Sequence, residues 1–290
     1  MPRLSLAICL AIVAASAPAA AQDLRGGGKL LLTDAVTSVE GAAGGGLASW
    51  ALIGGRATDA GIGGGGHLTY ATTDDFDLTT WGAKIGLFDR IELSYSRQSF
   101  DTRRAGAALG LGRGFTFGQH IIGAKVRVAG DAVFGQDTIL PQIALGVQHK
   151  IADEGAIIHA VGGRQRSGTD FTLAATKVFL AQGAVVNGTA RLTKANQFGL
   201  LGFGGDRNGD YSLQFEGSAG ILLSRSLLVG AEYRTKPDNL GFAEEQDALD
   251  LFVAASLLRN LTVTAAYVDL GSIATFESQR GALLSLQAAF

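Results

Sequence analysis

The chain has 290 residues, 47% of them apolar and 17% charged, with a formal net charge of −2. That length allows one large domain or two small ones, and the near-neutral balance excludes both a basic footprint for nucleic acid and an acidic disordered tail. Glycine is abundant at 42 residues and proline scarce at 4, and the apolar residues are spread along the chain rather than gathered into blocks.

Residues 1–21 read as a secretory signal peptide. Arg3 supplies the positive start, residues 4–15 the apolar stretch, and Ala19, Ala20 and Ala21 the small residues of a cleavage site, with Gln22 as the mature start. Ser16 and Pro18 interrupt the run before it reaches the roughly 20 apolar residues of a membrane helix. The single cysteine, Cys9, lies inside this peptide. The mature chain then has no disulfide, thiolate nucleophile or cysteine metal site. No later stretch reaches 18 uncharged apolar residues, so a spanning helix is not expected.

Residues 22–63 are glycine-rich, with tracts at 26–28, 44–46 and 63–66. Such tracts carry a high ordering entropy. They fit a loop or a plug inside a barrel, and residues 47–54 and 29–33 could instead supply two extra strands. None of the tracts has the spacing of a phosphate-binding loop.

From Gly64 onward the pattern changes to runs of about ten residues that alternate in character and end in turns. Trp81, Ala83, Ile85 and Leu87 oppose Thr80, Gly82, Lys84 and Gly86; after Asp89-Arg90, Ile91, Leu93 and Tyr95 oppose Glu92, Ser94 and Ser96. Lys125 and Arg127 share a face opposite Ala124, Val126 and Val128. Residues 139–149 alternate likewise, and 170–180 with 184–195 make a noisier pair. The clearest hairpin sets Tyr211, Leu213, Phe215, Ile221 and Leu223 against Gln214, Glu216 and Ser218, then Leu227, Val229 and Tyr233 against Glu232, Arg234 and Lys236. Leu249, Leu251 and Val253 oppose Asp250 and Phe252, and the last run, 279–290, ends on Phe290.

Twelve such strands are predicted, near 64–72, 76–88, 90–100, 119–130, 139–149, 170–180, 184–195, 211–223, 226–236, 247–258, 261–270 and 279–290, with fourteen as the alternative. Their length exceeds the five or six residues usual in soluble sheets and suits a tilted crossing of a bilayer. Short links at 89–90, 182–183, 224–225 and 259–260 alternate with longer ones at 101–118, 150–169, 196–210, 237–246 and 271–278. Short periplasmic turns and longer outer loops are the pattern of an all-β, antiparallel transmembrane barrel. A terminal Phe290 on an alternating strand is similar to the signal read by the outer-membrane assembly machinery.

With the apolar sets facing lipid, Lys84, Glu92, Lys125, Arg127, Lys150, Arg191, Glu216, Glu232, Arg234 and Asp250 point into the lumen. Mixed signs suit pairing across strands; Lys125 and Arg127, joined by Arg191, are the candidates for a patch that attracts small anions. His67, His120, His149 and His159 show no metal-ligand spacing. No serine among Ser94, Ser96, Ser212 and Ser218 is marked as a nucleophile. The aromatics Tyr70, Phe76, Trp81, Phe88, Tyr95, Phe100, Tyr211, Tyr233 and Tyr267 mostly fall near strand ends, as interfacial girdles do.

The segment 41–51, with 53–55, 28–33 and 91–94, resembles the DUF3034 family of proteobacterial outer-membrane proteins of unknown activity. The resemblance implies a location and no catalytic residue or cofactor. The reading is a signal peptide at 1–21, a glycine-rich segment at 22–63 and a barrel at 64–290. It predicts a channel or transporter for small solutes in the outer membrane of a Gram-negative bacterium. Its partners are outer-membrane lipid and, through Phe290, the assembly machinery. The alternatives are a non-conducting barrel acting through its outer loops and a lipid-acting enzyme; no cofactor and no nucleic acid are expected.

Overall fold

The computed structural model describes residue 32 and residues 36–290. The signal peptide, with Cys9, and all but Leu32 of the extra strand expected at 29–33 lie outside the described residues. Twelve antiparallel strands form one closed barrel. Two short strands, β1 (Val36–Thr37) and β2 (Ala43–Gly44), form a separate two-stranded sheet.

The barrel strands are β3 (Ile62–Thr73), β4 (Asp77–Leu87), β5 (Ile91–Asp101), β6 (Thr116–Ala129), β7 (Gln142–Ala152) and β8 (Ser167–Phe179). They continue as β9 (Ala184–Thr193), β10 (Ser212–Ser224), β11 (Leu227–Arg234), β12 (Ala248–Leu258), β13 (Leu261–Asp269) and β14 (Arg280–Ala289). Each pairs with its sequence neighbours, and β14 closes the ring on β3 from Gly281↔Thr73 to Ala289↔Gly65. Phe290 extends the seam, exchanging backbone hydrogen bonds of 2.9 and 2.7 Å with Gly64. Closure leaves no strand edge to face hydrocarbon, where each unpaired backbone group would cost several kcal/mol.

Alternation sorts the side chains as strand geometry demands. Trp81, Leu93, Ile122, Leu145, Leu173, Phe215, Leu251 and Leu284 point outward and are exposed, whereas Lys84, Glu92, Lys125, Lys150, Arg191, Glu216 and Glu232 point inward and are buried. An apolar exterior around a charged interior inverts the arrangement of a soluble domain and is stable with that exterior in lipid. The protein is a transmembrane barrel of the outer-membrane type. Tyr70, Tyr211, Tyr233 and Tyr267 are exposed at one end of it and Phe88, Phe179 and Phe290 at the other, as girdles at the two interfaces.

Two links depart from the expected asymmetry. The 130–141 link is long at the end of the short turns, taken as periplasmic, and the 74–76 link is short at the outer end. Two aromatics also depart from it. Phe76 is buried and stacks on half-buried Phe100 at a centroid distance of 5.1 Å. Neither joins a girdle, because both turn inward beneath the outer links.

Residues 47–54 add no strand to the wall. They belong to a segment, 36–57, that fills the lumen, and nearly all of it is buried. Close approach explains its glycines. A Cβ on Gly44 would stand 2.1 Å from the Ala48 carbonyl oxygen, and one on Gly45 would lie against the Glu232 carboxylate.

Candidate functional site

The lumen segment is fixed on two sides. On one, Val39, Trp50 and Leu52 pack with Phe252, Ala266, Val268 and Leu283, inward-facing residues of β12, β13 and β14. Around the rest of the wall, beside a small apolar patch of Ala51 with Ala144 and Ala174, polar contacts hold it. Backbone N–H groups of the segment donate to wall carboxylates: Ala43 and Gly54 to Glu92 at 3.0 and 2.7 Å, Leu47 to Glu232 at 2.7 Å and Ser49 to Glu216 at 2.7 Å. Its carbonyls accept from wall cations: Val36 from Lys84 at 3.2 Å, Ala43 and Leu52 from Lys125 at 2.8 and 3.1 Å, and Leu47 from Arg234 at 3.1 Å. Charged side chains here replace the backbone partners that an irregular segment lacks.

At the centre stands Glu40. Its carboxylate meets Lys150 at 2.5 Å, Arg234 at 2.9 Å and Arg191 at 3.2 Å. Asp170 pairs with Lys150 at 2.8 Å and Arg191 at 3.1 Å, and Glu216 pairs with Arg191 and, at 3.4 Å, with Arg234. Three cations and three carboxylates thus balance in a fully buried cluster. Burial alone would raise the Glu40 carboxyl; Arg234, Lys150 and Arg191 outweigh it and hold the group well below the usual carboxylate range.

The expected lumen charges therefore divide among four places. Arg191, Arg234 and Glu216 join the Glu40 cluster. Lys84 and Lys125 hold the lumen segment near Glu92, with Lys125 3.5 Å from its carboxylate. Glu232 faces Asp250 across β11 and β12 and accepts from Trp50 Nε1 at 3.1 Å and Ser218 Oγ at 2.7 Å. Arg127 sits at the short-turn end with Asp89 at 2.7 Å and with Asp131 and Asp59 at 3.5 Å each. Lys125 and Arg127 share the inward face of β6, and Lys125, Arg127 and Arg191 each pair with different carboxylates. Sequence reasoning missed Glu40 and Asp170. Asp170 alternates with Thr172 and Thr176 on an inward face, and Glu40 is a lone charge in a glycine- and alanine-rich stretch; both signals were present.

A turn from the 194–211 link presses on this cluster from the outer side. Gln197 and Phe198 take φ of 46° and 59°, a region unfavourable to side chains. The Phe198 carbonyl accepts from Lys150 at 3.2 Å, and its ring lies under the Arg234 guanidinium at 4.5 Å. Glu245, from the 235–247 link, accepts the Gln197 N–H at 2.9 Å. Burial pushes the Glu245 carboxyl up to about 7 against the pull of Lys236.

Above the lumen segment part of the interior is apolar. A cavity of about 140 Å³ has Val39 and Leu47 as its floor, and every outer link contributes to its roof. Beside the segment, gaps among the described residues include ones of about 20 and 10 Å³, room for about one water each.

The chain's relatives place it by family and fold. A family model described as a protein of unknown function, DUF3034, matches residues 33–287. The chain belongs to the DUF3034 family. No curated protein sequence matches it. Among solved structures, this DUF3034 barrel is similar to the KdgM porin in complex with disordered oligogalacturonate, at 8% identity and a TM-score of 0.51, over 78% of this chain and 99% of that one. It also matches the NanC porin, at 8% identity and 0.48 over 78% and 98%, and outer membrane phospholipase A from Escherichia coli, at 10% and 0.40 over 77% and 92%. Likeness at such identities shows the fold alone.

Proposed function

We propose that the protein is a gated outer-membrane channel or transporter for small solutes, described here closed, with residues 36–57 as the gate. One observation carries the reading: a segment attached to the barrel at the start of β3 occupies the lumen through contacts to inward charged side chains. Phe290, continuing the closing seam, serves on this reading as the terminal signal for assembly. The chemistry is passage rather than catalysis.

Planar-bilayer conductance tests the reading. The wild-type protein is expected to be quiet, with rare openings, and a variant lacking residues 36–57 to conduct steadily. Glu40→Gln, which keeps the segment but leaves one wall cation uncompensated, is expected to open more often than wild type. Closed barrels of both variants, verified by heat-modifiable mobility and as quiet as wild type, would overturn it. That outcome would favour a non-conducting barrel acting through its outer links, a reading supported by the close fit of the segment in the lumen.

A further inference from the structure

We infer that the chamber at the outer mouth is a binding site for a small apolar molecule, of the size of a single aromatic ring or a short hydrocarbon. This deepens the transport reading and rests on it for the step beyond binding.

The chamber stands where a pore for hydrated solutes would need polar walls. Its walls are instead Leu78, Phe100, Phe117 and Leu283, its floor is Val39 and Leu47, and its polar lining is confined to Gln98, Thr102 and Gln197. Those three groups are already engaged: Gln98 donates to the Val39 carbonyl at 2.8 Å, Thr102 to the Phe115 carbonyl at 2.7 Å, and Gln197 to the Ser272 carbonyl at 3.4 Å. An ion or sugar entering here would lose hydration and find few replacements.

The apolar character is built by the whole outer surface. All six outer links send residues to the chamber, among them Phe76, Leu111, Ile157, Phe198, Phe242 and Ile273. Packing of the links explains most of these contacts. It does not explain the space left over. About 140 Å³ of apolar void is larger than close-packed interiors tolerate without cost. A dry cavity of about 150 Å³ lined by Leu, Ile and Phe accepts benzene, so the volume sets the occupant. Leu111 and Ile157 are half-buried and Phe242 is exposed, which puts an apolar rim at the outer solvent. Below, Val39 and Leu47 belong to the lumen segment, so a bound molecule touches the gate directly.

The test uses the full-length mature barrel in lipid nanodiscs, with fluorobenzene as the probe observed by ¹⁹F NMR. Saturable line broadening is expected above the partitioning seen with empty nanodiscs, and unlabelled toluene should reverse it. Leu78→Trp in the wall and Leu111→Trp in the roof, each filling the chamber from a different side, are expected to weaken binding at least tenfold while heat-modifiable mobility stays normal. Broadening no greater than in empty nanodiscs, or binding unchanged in both folded variants, would overturn the inference. Conductance of the variant lacking residues 36–57 is a separate measurement, so loss of the site and loss of the gate are distinguished.

Discussion

Glu40 ties the lumen segment to three wall strands, and its removal has a calculable sense. Three buried cations converge on its carboxylate. Glu40→Gln is expected to destabilise the seated segment by about 3–5 kcal/mol, the usual cost of leaving a buried charge without its partner. Faster proteolysis within residues 36–57 in an otherwise intact barrel would register it. The same group gives a pH dependence. Its folded pKa is depressed, so the stabilisation is present above the ordinary carboxylate value of 4.5 and is lost as pH falls through its folded value. Glu245 acts in the opposite sense. With its pKa raised to about 7, the folded state holds the proton more tightly, and the roof it braces loosens as pH rises from 4.5 to about 7. Hydrogen exchange of the Gln197 amide should quicken over that window beyond its intrinsic pH dependence, and the excess should vanish in Glu245→Gln. At this scale the sequence identified which charges face inward, because a period of two allows one answer. It could not show which ones meet, since partners such as Glu40 and Arg234 lie 194 positions apart.

Among the elements, the strands were legible and the lumen segment was not. Alternation marks both edges of a half-buried strand, so β4, β5, β10 and β12 fall within about one or two residues of expectation. The segment 36–57 has no period to read. It takes its path from the wall, and its glycines suit a loop as well as a plug. A further clue lay in the wall: Phe252, Val268 and Leu283 are apolar yet inward, a break in the polar face that marks where the segment's own apolar side docks. The tight fit predicts that Gly44→Ala, whose methyl would meet the Ala48 carbonyl at 2.1 Å, destabilises the segment. Overpacking costs about 1–3 kcal/mol, and the cleavage rate within 36–57 should rise accordingly while barrel mobility is unchanged. Phe76 and Phe100 were misread because a ring at a strand end suits a girdle or a roof equally well.

For the molecule as a whole, the decisive property is the inversion of inside and outside. Val253 lies at the middle of β12 and faces outward, whereas Leu249 lies at its outer end. Val253→Arg is expected to cost about 2–4 kcal/mol of folding free energy in vesicles and Leu249→Arg about 0–1, a gradient that a soluble sandwich would not produce. Equilibrium unfolding from lipid measures both. Strand length and the terminal aromatic pointed to this solvent from the sequence. The apolar outer chamber did not show, because its roof comes from six links with no common pattern.

The order of the chain adds a constraint on how this object is made. The lumen segment precedes β3, and β3 pairs with β14 to close the ring. A cylinder that zipped shut while vacant would trap Lys150, Arg191 and Arg234 with only Asp170 and Glu216 to answer them. Seating of the amino-terminal stretch by the time β3 meets β14 would spare the wall that imbalance of buried charge.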